Sequence, residues 1–497
     1  MRARPKTGLI IAVLGFVAIV PAARGAAFAE NAAVSSPERL ATTAGLNILR
    51  QGGTAADAAV AIAFSLTVLR PDSAGLLGGG TALYFDATSG EMWALDFTQR
   101  TPNATYVEGG VPENAISLAV PGLTRGLREL QRKFGSSSWS SLLQPALALA
   151  EEKVVSDRMR EVFEAETVIR TIDPMSSETE SELSKILSRI AERGADELYV
   201  GETSRQLVAR SRSAGGTITA RSLTEYAPRW RSPIRLDFRG DQIFTVAAPT
   251  GAGAVLADTV TLLAGFDWSG RSASDAGTIH LFVEAERHGW SKAGRAVSDR
   301  GAVSHQLVSS PEELTKTRRQ IENPPLEEAR IDDPRHSSVG FVVLDEKGNA
   351  AVVSLSLGPP FGSGKLFGNV GYIAATPDEN RNDPMLPLLV LRQGRVGLLI
   401  NASGRGREAA IGGGLYLRSK LLGTGLEELI AMSRFLPAAE PRTIMCETGT
   451  DLEIVDRLNA MGHGVEWDKV LGTIHAIEAD DRIALISDPR GGTAGGY

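Results

Sequence analysis

Apolar and polar positions set out a leader and then two alternating rhythms along the chain. Gly8 to Val20 is an uninterrupted apolar run, preceded by Arg2, Arg4 and Lys6 and followed by small residues ending in Ala27-Phe28-Ala29 before Glu30. A basic start, a short apolar run and an A-x-A site predict an export leader over 1–29. The run is shorter than the ~20 residues that a spanning helix needs. Beyond it, Pro37 to Arg50 has helical periodicity and stops at Gly52-Gly53, and Thr54-Ala55-Ala56-Asp57 resembles a capping box opening an Ala-rich helix to about Leu69, closed by Pro71. Thr81–Phe85 and Met92–Phe97 read as a hairpin about Thr88-Ser89-Gly90. The middle, roughly 121–330, is mainly helical by pattern, with a charge-rich stretch at 172–195. Pro311 to Arg335 is charged and poor in apolar periodicity and reads as an exposed, mobile segment. The pattern then changes abruptly: Gly340–Asp345 is a strand, Glu346-Lys347-Gly348-Asn349 a turn, and Ala350–Leu357 a second strand with Ser354 and Ser356 on one face. Val396–Ile400 is another apolar strand, helices are expected near 406–420 and 425–433, and short strands near 473–487. Strands and helices without a βαβ rhythm predict an α+β fold in layers.

Composition narrows the function. The chain has 497 residues, 43% of them hydrophobic and 22% charged, which is globular, and a formal net charge of −7 with no basic stripe, which argues against a nucleic-acid partner. The single cysteine, Cys446, excludes an internal disulfide, and one Cys with six scattered His offers no metal-ligand spacing, so neither metal nor cofactor is expected. The glycine run Gly75 to Gly80 matches neither a dinucleotide fingerprint nor a P-loop. No second segment is apolar enough to span a bilayer. The mature chain is therefore expected to be exported, periplasmic or secreted, with no membrane association.

The sharpest chemical feature is Arg335-His336-Ser337-Ser338, placed just before the strong strand. A serine hydroxyl needs a base beside it to act as a nucleophile. Cutting the backbone between Ser337 and Ser338 supplies one, because the new α-amine of Ser338 has a reference pKa near 8.

Around this junction the chain resembles the gamma-glutamyltranspeptidases, which are N-terminal-nucleophile hydrolases. Their Thr-Thr-His-x-x-Val-x-Asp-x-x-Gly-Asn run begins at the nucleophile; here Ser338 takes that place, with Asp345, Gly348 and Asn349 in register, Ser356 at the second threonine and Phe361-Gly362-Ser363-Gly364 at the Phe-Gly-Ser-Gly turn. The resemblance extends over nearly the whole mature chain. It takes in Gly52 to Ala59, Gly75 to Gly80, Val120-Pro121-Gly122, Tyr199-Val200-Gly201, Gly215-Gly216 to Tyr226 (with Ser222 for the family's Asp), and Asp488-Pro489-Arg490 with the final Gly496-Tyr497. It implies a four-layer αββα sandwich. It also implies a leader over 1–29, a large subunit over 30–337 and a small subunit over 338–497, held together as a heterodimer of the chain's own two fragments.

The departures fall at the site. Val339-Gly340 replaces Thr-His. Thr98 stands where the family has its carboxylate-binding arginine, with Arg100 two residues further on, on the same face of an extended strand. Ala374-Ala375 replaces Asn-Asn, while Asp378-Glu379 still follows, either to bind a substrate ammonium or as a solvated loop. The Ser-Pro-Gly-Gly oxyanion loop reads Ala402-Ser403-Gly404-Arg405. The resemblance then assigns Ser338 as nucleophile, Ser356 as its support, and the backbone at Gly404 as oxyanion donor, with Ser403, Arg405 or Arg100, Asp378 and Glu379 toward the substrate. That substrate is a gamma-glutamyl compound such as glutathione, with water or an amino acid as acceptor. The rebuilt pocket leaves two other readings open: another amide substrate, such as an acyl side chain or a peptide capsule, or an uncut, inactive exported binding protein.

Overall fold

The computed structural model describes residues 27–103, 107, 118–156, 159–160, 177–213, 215–247, 250–296, 309–322, 331, 336–364, 374–376 and 384–497. Fourteen strands form one hydrogen-bonded system that divides into two antiparallel sheets. Their ranges are β1 (Ala27–Ala29), β2 (Ala33–Ser36), β3 (Gly79–Asp86), β4 (Glu91–Asp96), β5 (Arg229–Arg231), β6 (Ile234–Phe238), β7 (Asp241–Thr245), β8 (Ser337–Leu344), β9 (Ala350–Gly358), β10 (Leu388–Arg392) and β11 (Arg395–Arg405), followed by β12 (Phe435–Pro437), β13 (Thr443–Glu447) and β14 (Gly464–Asp468) in a small separate sheet, then β15 (Thr473–Ala479), β16 (Ile483–Ile486) and β17 (Thr493–Gly496). The first sheet runs β17-β2-β8-β9-β3-β4-β5 and the second β1-β16-β15-β11-β10-β7-β6. They join at one place, where Gly404 and Arg405 at the end of β11 pair with Ser338 and Ser337 at the start of β8.

Alternation along the inner strands builds three apolar layers. Val339, Phe341 and Val343 of β8 and Ala351, Val353 and Leu355 of β9 face helices α1 (Arg39–Arg50), α2 (Ala55–Leu69), α3 (Leu123–Phe134) and α4 (Trp139–Glu151). Val342, Leu344, Ala350 and Val352 face the second sheet and meet Leu389, Leu399 and Ile477. The far side of that sheet packs on the helices Ala252–Leu263, Ala276–Ala296 and Ile411–Leu422. The result is the expected four-layer αββα sandwich, with β8 buried along its entire length. Helix α2 suits its place beneath β8 and β9: every residue but Val68 is buried, and its alanines let the helix lie close to the sheet.

Several sequence signatures prove to be structural joints. Thr54 and Asp57 close the capping box expected at α2. Asp345 accepts from the backbone of Lys347 and Asn349 in the β8–β9 turn and from Ala55 at the start of α2, each at 2.9 Å. Gly78-Gly79-Gly80 is glycine because the backbones touch: a Cβ on Gly80 would lie 2.2 Å from the Ser354 carbonyl, and one on Gly79 would lie 2.4 Å from the Gln99 nitrogen. The backbone amides of Glu30, Asn31 and Ala32 converge on the carbonyl of Tyr497.

Three expectations need correction. The mostly helical middle also contains β5, β6 and β7, strands of three to five residues, too short to stand out although Ile234-Arg235-Leu236-Asp237-Phe238 of β6 alternates apolar and polar. Strand β3 begins inside the glycine run. In the stretch from Pro311, residues Pro311–Ile321 form a helix with a Ser310–Glu313 capping box and proline in its first turn; Leu314, Thr317 and Ile321 are its buried stripe. Part of the rest of that stretch, 323–330 and 332–335, lies outside the described residues, as do Asp378 and Glu379.

Candidate active site

Ser338 stands where three strands meet. On one side it is opposite Ser356 of β9, and on the other it is opposite Gly404 of β11. A bulge separates it from Ser337, which pairs with Gly358. Ser338 keeps the parity of Gly340, Val342 and Leu344, so it faces the space between the sheets. Its hydroxyl is buried and, among the described residues, has no hydrogen-bond partner. A buried hydroxyl with nothing to bond to is an exception that asks for a chemical reason.

Both carbonyls that precede the two serines are held by hydrogen bonds. Ser356 donates its hydroxyl to the carbonyl oxygen of Ser337 at 2.9 Å and accepts from the Gly358 amide at 3.0 Å. Gly406 donates its amide to the His336 carbonyl at 2.8 Å. The Arg405 amide instead turns to Glu408 at 3.0 Å, while the Arg405 side chain is exposed. Within the Gly404–Gly406 loop, then, it is the amide of Gly406 that reaches the upstream chain, and Gly404 supplies close approach. The sequence carried a signal for this, a second glycine two residues on.

Ser403 is committed to the scaffold. Its hydroxyl accepts from the Gly340 amide at 3.0 Å and shares a hydrogen bond with Nε2 of His475 at 2.9 Å. Burial first, then Arg70 and Arg434, hold His475 down to a pKa of about 3, which keeps the ring neutral. Ser403 thus braces β11 against β8 beside the nucleophile instead of standing free for a substrate. Glu408 is half-buried; desolvation of its carboxyl, with Asp468 nearby, lifts its pKa to about 7 against the pull of the Arg405 and Gly472 amides.

Two further expectations resolve on geometry. Thr98, at the position of the family's arginine, gives its hydroxyl to Asp96 at 2.7 Å. Arg100 bridges Val120 through its backbone, lays its guanidinium over the Tyr226 ring at 5.2 Å, and stands 3.8 Å from Asp96, which also holds Arg231. The structure therefore gathers Ser337, Ser338, Ser356, Ser403, Gly404 and Arg405 and leaves Arg100 engaged with Asp96 and Tyr226. Ala374 and Ala375 are buried against the Phe361–Gly364 turn and Ala119.

Sequence reasoning missed Arg70, Asp72 and Ser73, which follow α2. Arg70 donates Nε and Nη2 to the two carboxylate oxygens of Asp72 at 2.8 and 2.9 Å. Ser73 bonds Asp72 at 2.6 Å and the Ser337 hydroxyl at 2.5 Å. Nothing in local spacing signals that this loop meets residue 337.

An αββα sandwich whose unpartnered serine opens an inner strand is the architecture of the N-terminal-nucleophile hydrolases. The comparisons specify the branch. Residues 41–376 match the sequence profile described as Gamma-glutamyltranspeptidase, and the chain belongs to that family of hydrolases and transferases. It is 29% identical to a glutathione hydrolase proenzyme of Pseudomonas aeruginosa, over 95% of this chain and 96% of that one. It is 25% identical to an acylase ACY 1 proenzyme of a Pseudomonas species, over 73% and 75%. A crystal structure of cephalosporin acylase from Bacillus halodurans superimposes with a TM-score of 0.79 over 98% of this chain and 97% of that one, at 22% identity, sharing the fold. Among the described residues, no helix is long and apolar enough to cross a membrane, and no group of His, Cys, Asp and Glu is placed to hold a metal.

Proposed function

We propose that the chain cuts its own backbone between Ser337 and Ser338 and then uses Ser338 as an N-terminal nucleophile on gamma-glutamyl amides such as glutathione, with water or an amino acid as acceptor. One observation carries the reading: the unpartnered Ser338 hydroxyl adjoins a carbonyl whose oxygen is already held by Ser356. In the cut, Ser338 Oγ attacks the Ser337 carbonyl carbon and the C–N bond breaks. The hydroxyl proton passes to the departing nitrogen, which becomes the α-amine. Water then hydrolyses the resulting ester, leaving a carboxylate on Ser337. The Ser356 donor stabilises charge on the carbonyl oxygen as it develops. In turnover the free α-amine takes the Ser338 proton, Oγ bonds the substrate's acyl carbon as the amide C–N bond breaks, the departing amine leaves with that proton, and water or an amino acid then takes the acyl group from Oγ.

The two fragments, 30–337 and 338–497, stay together as a heterodimer because their strands interleave: β8 lies against β2, β9 against β3, and β10 against β7. Export through the 1–29 leader belongs to the same reading. A cut after Ala29 removes β1, a three-residue edge strand, and keeps the contact of Glu30, Asn31 and Ala32 with Tyr497.

A denaturing gel tests the first step: two bands, the smaller beginning at Ser338 by N-terminal sequencing, and one band for Ser338→Ala. A native chain that stays whole supports the inactive binding protein instead. A second reading, an acylase for a different amide, is favoured by Thr98, which puts a hydroxyl tied to Asp96 where the family grips the substrate carboxylate. Turnover of glutathione against amides lacking an α-carboxylate separates the two.

A further inference from the structure

Two serines stand side by side at the junction, and each peptide preceding one of them is open to the same attack in principle. The structure treats their hydroxyls differently. Ser73 has one proton and two oxygen neighbours, Asp72 Oδ2 at 2.6 Å and Ser337 Oγ at 2.5 Å. Both oxygens of Asp72 accept from Arg70, so the carboxylate acts as acceptor and takes the Ser73 proton. Ser337 must then donate to Ser73. The order of donation is fixed: Ser337 to Ser73 to Asp72, with Arg70 behind. Ser73 is fully buried, and the Asp72 carbonyl accepts from the Phe361 amide at 2.8 Å, so the relay cannot swing aside without disturbing that turn.

We infer that Ser73, backed by Asp72 and Arg70, is a positioning residue that selects which peptide is cut. The inference rests on the proposed self-cleavage at Ser338. The relay does two things. It holds the Ser337 Oγ on Ser73, so this hydroxyl is not free to turn to the His336 carbonyl or to compete with Ser356 for the Ser337 carbonyl. It also pins the upstream side of the scissile peptide. Ser337 Oγ is held by Ser73, Ser337 O by Ser356 and His336 O by Gly406, while the hydroxyl downstream stays unpartnered. Holding one reactant still in an intramolecular attack is a large part of its rate.

The test is a time course of self-cleavage for the full-length chain, with intact masses of the smaller fragment. Ser73→Ala should slow the cut by roughly tenfold, the effect of one strong buried hydrogen bond. It should also yield a second fragment one residue longer, starting at Ser337. Ser73→Thr, which keeps the hydroxyl, should restore rate and site, outcomes a general loss of packing does not produce. Ser337→Ala removes the same bond from the other end without touching the Asp72 relay; it should slow the cut to a similar degree, and the double variant should be no slower than either alone. If Ser73→Ala does not fold, Ser337→Ala carries the test. Cleavage by Ser73→Ala, or in that case Ser337→Ala, at the native rate and only at Ser338 overturns the inference while leaving the proposed function intact. A native chain that stays whole, or is cut elsewhere, overturns both.

Discussion

Glu408 lies directly against Gly404: a Cβ on the glycine would come within 2.5 Å of the Glu408 Cβ, 2.7 Å of its Oε2 and 3.2 Å of the Gly472 Cα. The end of β11 is therefore wedged between the nucleophile's strand and the half-buried Glu408 side chain, and a methyl group has nowhere to go. Gly404→Ala is expected to cost about 1–3 kcal/mol of stability, as overpacking does. It should also slow self-cleavage by more than tenfold, because the strand end it displaces carries the Gly406 contact to His336. A thermal melt and a gel time course check both.

The same carboxylate sets a pH dependence. Glu408 is raised from an ordinary 4.5 to about 7, with burial the largest cause. The folded state thus binds this proton more tightly than the unfolded state. Its contribution is complete below about 4.5, is lost as pH rises toward 7, and is flat above; the change is at most about 3 kcal/mol. Glu286 is raised to about 7 by burial as well and has the same sign, so the informative quantity is a difference. Stability of the native chain minus that of Glu408→Gln should fall between pH 5 and 7. A difference that is flat over that window places the proton elsewhere.

These groups show which parts of the molecule could be read from the sequence and why. β8, β9, the turn at Gly348 and helix α2 follow from local alternation and capping, which neighbours in sequence determine. Ser338 and Ser356 were legible through their family spacing. The Pro311–Ile321 helix was obscured by its charges, although Ser310-Pro311-Glu312-Glu313 is a start signal. Ser73, His475 and Glu408 act across 264, 72 and 3 positions, reaching Ser337, Ser403 and the Arg405 amide. Of these only the last is a local pattern; the others exist because layered sheets bring loop ends together.

The C-terminal signature is a joint, not chemistry. Asp488 pairs with Arg434, which is almost wholly buried, and accepts from the Ile474 amide at 2.7 Å, while Arg434 also donates to the Leu471 and Gly472 carbonyls. Asp488→Ala leaves that guanidinium without its charge partner, a loss of about 3–5 kcal/mol. Denaturant unfolding should show it, and the soluble yield should collapse.

Gly340 stands where relatives of this family carry histidine, and its surroundings explain the exchange. A Cβ there would lie 2.5 Å from the Asn401 Cγ and 2.6 Å from the Ala402 carbonyl. Asn401 fills the space and bonds the Val353 carbonyl at 2.8 Å. Restoring the family residue by Gly340→His should therefore destabilise the chain by about 1–3 kcal/mol or more. Adding Asn401→Gly should recover part of that loss, a coupling that a double-mutant cycle of melting data measures.

The substrate question turns on Thr98. Asp96 accepts from the Thr98 hydroxyl at 2.7 Å, holds Arg231 at 2.7 Å and has Arg100 at 3.8 Å, so this carboxylate is already shared by two cations. Thr98→Arg places a third guanidinium at the family's carboxylate-gripping position, where Asp96 does not need it and a substrate carboxylate does. Arginine forks bind carboxylates in two bonds, and one such charged contact is worth about 1.5–3 kcal/mol. The variant should raise kcat/KM for a gamma-glutamyl amide by roughly tenfold or more, chiefly through KM, and leave an amide lacking the α-carboxylate unchanged. Equal gains on both substrates would point to a looser pocket. No gain on either would mean that the acyl group enters this site from another side, and that the chain's natural amide carries no carboxylate there.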